Sequence, residues 1–188
     1  MLKTSPPEEK GRMMLFTYAQ GSLALGLLIV CTATGWAQTP PDGALASCAA
    51  LYRQAAPLME MAQQKLDARQ LAEAKALVTE ANALFSRLQK ECAPLLTDHA
   101  LTFKEEQQIA INQKLGDDAQ SQGDLIMVSA TAKDKQAREM EAKGQQEAAA
   151  QALSFQAKKE YEQAQNLFIK AGIYALKNQQ IIFQFLVR

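Results

Sequence analysis

Apolar residues beyond residue 43 recur at helical spacing. Leu45, Cys48, Tyr52, Ala55, Met59, Ala62 and Leu66 follow one another at alternating steps of three and four, the apolar stripe of an α-helix. Pro57 falls inside this pattern. An interior proline removes a backbone hydrogen bond, so a kink or a fresh helix start is expected there. A second stripe runs through Leu71, Ala74, Val78, Ala81, Phe85, Leu88 and Cys92. The step of five from Leu66 to Leu71 breaks the phase and predicts a turn over Asp67-Ala68-Arg69-Gln70. That turn contains neither Gly nor Pro, so the competing arrangement is one continuous helix. Pro94 disfavours the helical conformation of Ala93 and is expected to end the second helix.

Thr97 or Asp98 suits the N-cap of a third helix, roughly 98–115, with Leu101, Ile109 and Leu115 as its apolar positions. The segment Asp117 to Asp124, between Gly116 and Leu125, reads as a break. A long polar helix is expected from Leu125, interrupted at Gly144. The last helices are expected over about 145–158 and 160–186, with Phe155, Tyr161, Ala164, Phe168, Ala171, Ala175, Ile182 and Phe185 on their apolar face. The run Ile181-Ile182-Phe183-Gln184-Phe185-Leu186-Val187 is apolar nearly all round, and such a helix wants cover on every side. It fits the final helix of a bundle, a surface that docks a partner or a membrane, or a chain that continues further.

The first 37 residues follow another pattern. Lys3, Lys10 and Arg12 form a basic lead, and no formal charge follows until Asp42. Inside that gap stands the apolar run Leu23 to Val30, then small residues ending in Gly35-Trp36-Ala37-Gln38. This is the layout of a secretory signal, with cleavage between Ala37 and Gln38. Residues 38–43, with Pro40-Pro41, then form a linker to a single all-helical domain over 44–188. The uncharged stretch Met13 to Ala37 also reaches the roughly 20 residues that span a bilayer, so a retained anchor is the alternative. Leu28-Ile29-Val30-Cys31 looks like a lipobox, although Val30 stands where a small residue is usual.

Composition narrows the choices. The chain has 188 residues, with 20 basic and 20 acidic side chains. The leader holds three of the basic and two of the acidic residues, so the remainder carries 17 and 18, a net charge of −1. Such balance argues against nucleic acid as a partner, because neutralising phosphates needs a basic face. The remainder is rich in Ala, Gln, Glu, Lys and Leu and poor in β-branched residues before its tail, which makes the fold class all-α. Antiparallel helical hairpins forming a small bundle or short repeat array are the expected architecture.

Two segments also match at a separation of 90 residues: Leu71, Ala74, Val78, Ala81 and Leu84 align with Tyr161, Ala164, Phe168, Ala171 and Tyr174, and Ala62 aligns with Ala152. Small residues at fixed places between larger ones let helices approach closely. The pattern resembles tetratricopeptide-type repeats within 145–178, 55–88 and, in its first half, 109–142. The motif's tryptophan and closing proline are missing, and Lys135 takes the place of a small residue. The resemblance implies a helical scaffold that binds other proteins in a concave groove, without catalysis.

Behind the leader two cysteines remain, Cys48 and Cys92. An even number in an exported chain reads as one disulfide, with two buried free thiols as the alternative. Residue 70 lies midway between them, so a hairpin turning at 67–70 sets them opposite each other. The bond would close a loop of about 45 residues, worth about 4 kcal/mol in the chain-entropy model. A continuous helix would instead separate the sulfurs by about 66 Å.

His99 is the one histidine, and no HExxH, CxxC or Gly-rich phosphate loop occurs. Asp118 to Gly123 loosely suggests a calcium loop but lacks carboxylates at its third and fifth places, and Ser129 stands where a bidentate Glu belongs. The expectation is therefore a non-enzymatic exported protein, with no cofactor, no metal and no catalytic residue, acting by protein–protein interaction in the cell envelope or periplasm. Self-association is open, and Ile181, Ile182, Phe183, Phe185 and Leu186 are the candidate docking residues. The alternatives are a membrane-tethered structural or stress protein held by residues 13–37, or a binder of a small apolar ligand among Phe155, Phe168, Tyr174 and Phe185.

Overall fold

A computed structural model describes residues 42–96, 99–144 and 146–187. The leader expected over residues 1–37 with Cys31, the cleavage pair expected at Ala37 and Gln38, Pro40-Pro41 of the expected linker and the caps expected at Thr97 and Asp98 lie outside the described residues. The described chain is all-α: α1 (Asp42–Asp67), α2 (Leu71–Leu96), α3 (Phe103–Ala142) and α4 (Glu147–Phe183), followed by a 3₁₀ turn over Gln184–Val187.

The first two helices pair along the stripes expected of them. Cys48, Tyr52, Ala55, Met59, Ala62 and Leu66 on α1 are buried, as are Ala74, Val78, Ala81, Phe85, Leu88 and Cys92 on α2. Leu45 at the open end of α1 is exposed. The turn falls at the phase break. Gln70 N–H donates to Lys65 C=O and Arg69 N–H to Leu66 C=O, the paired bonds of a Schellman motif. Such a motif needs a left-handed residue, and Arg69 supplies it at φ 59° although glycine suits it better. The ion pair Lys65–Glu73 spans the turn at 2.6 Å.

Neither proline ends or restarts its helix. Pro57 lies within a continuous α1, and Pro94 within α2, which runs two residues further to Leu96. Pro57 and Arg53, the residue whose carbonyl loses its helical donor to the proline, are both exposed.

The third helix differs most from expectation. It begins at Phe103 rather than near 98, where Thr102 and Glu105 form a capping box: Glu105 N–H donates to Thr102 Oγ1 at 3.3 Å, and Thr102 N–H donates to Glu105 Oε2 at 2.8 Å. It then continues through Gly116 and Gly123 without the break expected over 117–124. Gly144, at φ 64°, does mark the next turn. The two last helices expected over 145–158 and 160–186 are one helix, α4.

Glycine survives inside α3 because of what faces it. Ile109, Asn112, Gly116, Ala119, Gly123, Ile126, Ala130, Lys133, Ala137 and Met140 follow a strict seven-residue rhythm, and every one is buried or half-buried. On α4 the same rhythm runs through Ala150, Leu153, Ala157, Glu160, Ala164, Leu167, Ala171, Tyr174, Asn178 and Ile181. A seven-residue apolar repeat makes two helices coil around one another. Small residues at one of the two seam positions bring the backbones close. A Cβ on Gly116 would lie 3.5 Å from Tyr174 Cβ and 3.7 Å from the Ala171 carbonyl oxygen, and one on Gly123 would lie 2.5 Å from Phe168 Cε1. The helix-propensity cost of glycine, about 1 kcal/mol against alanine, is offset by a contact that a larger residue would block.

Among the described residues the two hairpins meet through α4 and the 3₁₀ turn that follows it. The later half of α4 turns Ile169, Ile173, Leu176 and Phe183 into the core of α1 and α2, and its seam residues face α3. That double duty explains why the C-terminal sequence is apolar nearly all round. The buried residues that α4 gives to the α1–α2 core begin at Ile169, and among the described residues α3 makes no close backbone approach to α1 or α2.

Candidate interaction surface

The residues proposed from sequence as a docking run do not form one surface. Phe183 and Leu186 are buried in the core with α1 and α2, which removes them from any free face. Ile181 is half-buried at the α3 seam, and Ile182 and Phe185 are half-buried against the core. Phe185 stacks on His99 with ring centres 4.3 Å apart and planes 18° from parallel. Gln184 Nε2 donates to Glu105 Oε1 at 2.6 Å, tying the end of α4 to the capping box of α3. Burial as the bundle's final segment is the arrangement that the structure adopts.

The cysteines stand as the hairpin geometry requires. Cys48 and Cys92 form a disulfide with Cα atoms 6.1 Å apart, and both are buried.

The four aromatics considered for an apolar ligand are not brought together. Phe155 is 59% exposed beneath the Lys159 ammonium, 4.6 Å from its ring centre. Phe168 covers Gly123, and Phe185 lies on His99. Helical rise alone separates residues 155 and 183 by about 42 Å. Asp118 to Gly123, the loose calcium loop, is regular α3 helix. Among the described residues, no group of three or more His, Cys, Asp or Glu stands close enough to hold a metal ion.

One polar cluster crosses the α3–α4 seam. Lys133 Nζ bonds Ser129 Oγ at 3.3 Å and pairs with Glu160 Oε1. Next to it Tyr161 OH approaches Thr131 Oγ1 at 3.4 Å. The hydrogen bond from Lys133, then that from Ser129, holds the Glu160 carboxyl below its ordinary value of 4.5. Folding thus favours the carboxylate, and its stabilisation is complete above about pH 4.5 and fades as pH falls through the lowered value. A pH titration of helicity should therefore show the α3–α4 hairpin loosening on the acid side of pH 4.5, and Glu160→Gln should flatten that dependence. An unchanged acid limb in Glu160→Gln would remove this pair as its source. Further along the seam, Asn112 and Asn178 are buried at facing registers. Asn112 Oδ1 accepts from Gln108 Nε2 at 3.1 Å, and Asn178 Oδ1 is buried without a hydrogen bond. Polar groups inside a seam fix its register at some cost in stability.

The remaining candidate is the outer surface of α3. It presents Phe103 (74% exposed), Leu125 (73%) and Val128 (70%), with Ile111 and Leu115 also exposed. The break expected over 117–124 conceals this surface in the sequence, because residues on both sides of it share one helix. Comparison of the chain with protein-family models, curated proteins and solved structures finds no match.

Proposed function

We propose that this chain is an exported, non-enzymatic helical protein that works by protein–protein interaction in the cell envelope or periplasm. The observation that carries the reading is α3: a 40-residue helix clasped along one side by α4, with large apolar residues on its open side. Exposed apolar residues gathered on one element mark interaction surfaces more often than isolated ones do. The buried Cys48–Cys92 bond supports an oxidising compartment, where such bonds persist. The leader pattern, with cleavage between Ala37 and Gln38, supports the same route. The tetratricopeptide-type resemblance adds no support, because residues 109–142 and 147–178, which it reads as helix–turn–helix units, each lie within a single helix.

The experiment combines compartment and contact. Protein recovered from its native cells is sequenced at its N-terminus and mapped by non-reducing mass spectrometry, and photo-crosslinkers at Phe103 and Ile111 are activated in intact cells. The reading expects an N-terminus at Gln38, an oxidised Cys48–Cys92 pair and a reproducible adduct to a protein of the same compartment. A reduced cytosolic chain without adducts would refute it. A chain that keeps residues 13–37 and resists alkaline extraction would favour the tethered alternative.

A further inference from the structure

The outer face of α3 carries a self-complementary pattern. Directly opposite the seam, ten residues follow steps of three and four: Ile111, Lys114, Asp118, Ser121, Leu125, Val128, Ala132, Lys135, Glu139 and Ala142. All ten are exposed. Read in reverse against itself, with the centre between Leu125 and Val128, the series pairs Leu125 with Val128, Ser121 with Ala132, Asp118 with Lys135, Lys114 with Glu139 and Ile111 with Ala142. The middle is apolar, the next positions are small, and the flanks are oppositely charged. We infer that this face is an antiparallel two-fold interface at which α3 pairs with α3 of a second copy of this chain.

The charges decide the direction and the register. In a parallel, in-register pair every charged position would meet itself: lysine against lysine, aspartate against aspartate, glutamate against glutamate. Like-charge juxtaposition of that kind suppresses a complex. Antiparallel pairing about the Leu125–Val128 centre gives four interchain ion pairs, since each of the two kinds occurs twice under a two-fold axis. Sliding one helix by a heptad in either direction loses all four pairs and moves Leu125 away from Val128. The flanking rows are compatible with this register. Leu115 comes level with Arg138, Gln122 with Thr131, Asp124 with Ser129 and Asp117 with Gln136, with no like charges opposed. Within one copy Lys135 and Glu139 lie only loosely together, at 3.9 Å, with side chains 78% and 56% exposed, so both are available to a facing helix.

The geometry leaves room for this pairing. The stripe spans about 46 Å of helix, at 1.5 Å per residue. The side of α3 that carries it is turned away from α4, and α1 and α2 make no close backbone approach to α3. Ser121 and Ala132 beside the centre allow the two helices to approach closely. Two large apolar residues per copy at the centre, with exposed ion pairs around them, make a weak, salt-sensitive contact, of the transient class rather than an obligate one.

Sedimentation of the disulfide-bonded chain beginning at Gln38, from about 10 µM to 1 mM in low salt, tests it. The wild type should dimerise within that range and weaken as salt is added. Asp118→Lys sets Lys against Lys135 at two places and should raise the dimer Kd about tenfold or more. Adding Lys135→Asp restores opposite charges and should bring the Kd back to within about threefold of the wild type. The decisive arm mixes two variants. Lys114→Glu/Lys135→Asp makes the stripe wholly acidic, and Asp118→Lys/Glu139→Lys makes it wholly basic. Each alone should be monomeric with unchanged helicity, and the mixture should form a heterodimer. A wild type monomeric at 1 mM would overturn the inference. So would a dimer that is indifferent to the single reversal, or variants that fail to pair when mixed. Ile111 lies in this stripe, so an adduct there to a second copy speaks for the dimer alone, whereas an adduct at Phe103 to a different protein speaks for the proposed function alone; the two proposals therefore fail separately.

Discussion

Phe183→Ala is expected to lower the unfolding free energy by about 3–5 kcal/mol, the range for truncating a buried aromatic side chain. Phe183 is 1% exposed and, with Phe85, is one of the largest fully buried side chains described. It sits at the end of α4, where that helix enters the core of the first hairpin, so its removal opens a cavity among three helices. Two other phenylalanines set the scale. Phe185→Ala removes a half-buried ring stacked on His99 and should cost clearly less. Phe155→Ala touches an exposed ring and should stay within about 0.5 kcal/mol. Urea unfolding followed by circular dichroism measures all three. If Phe183→Ala proved as mild as Phe155→Ala, the C-terminal run would not be core, and docking through it would again be open.

The first hairpin was legible in the sequence because its seam is built from large residues. Tyr52, Met59, Phe85 and Leu88 stand out from polar neighbours, so the stripes, the phase break at 67–70 and the facing cysteines could all be read. The turn itself was only a weak signal because Arg69, not glycine, holds the left-handed position. The capping box at Thr102 and Glu105 fits a motif that sequence can show, but Thr97 and Asp98 offered an equally plausible start a few residues earlier.

The second hairpin was hidden for a physical reason. One of its two seam positions is filled mostly by small residues, Gly116, Gly123, Ala130 and Ala137 against Ala150, Ala157, Ala164 and Ala171, which carry little hydrophobic contrast. Glycine reads as a helix breaker wherever solvent is the only neighbour. Where Tyr174 and Phe168 lie over the missing Cβ, the same residue permits close packing. On α4, Phe155 drew the apolar face toward the wrong side, since a large exposed ring outweighs the small Ala150 and Ala157 that are actually buried. The interaction surface was lost with the seam, because the outer stripe of α3 exists only if residues 111–142 belong to one helix.

Loss of the Cys48–Cys92 bond is the other large expected effect. Cys48→Ala/Cys92→Ala should destabilise the chain by about 4 kcal/mol, the loop-closure entropy of about 45 residues in the chain-entropy model. Alanine is the suitable replacement because both positions are buried, and serine would add hydroxyls in need of partners. A domain of this size has about 5–15 kcal/mol in all, so the loss is a substantial fraction. The bond joins α1 to α2 and leaves α3 untouched, which gives the effect a place as well as a size. Amide exchange should accelerate through α1, α2 and the later half of α4, and much less along the seam from Ala119 to Ala164. The single variant Cys92→Ala should cost nearly as much as the double, because the loop opens with either change and the remaining thiol behaves as a small hydrophobe in the core. If the double variant unfolded at the wild-type urea midpoint, the α1–α2 pairing would owe nothing to the bond, and the stripes of Ala55, Met59, Ala62, Ala74, Ala81 and Phe85 alone would hold the chain doubled back.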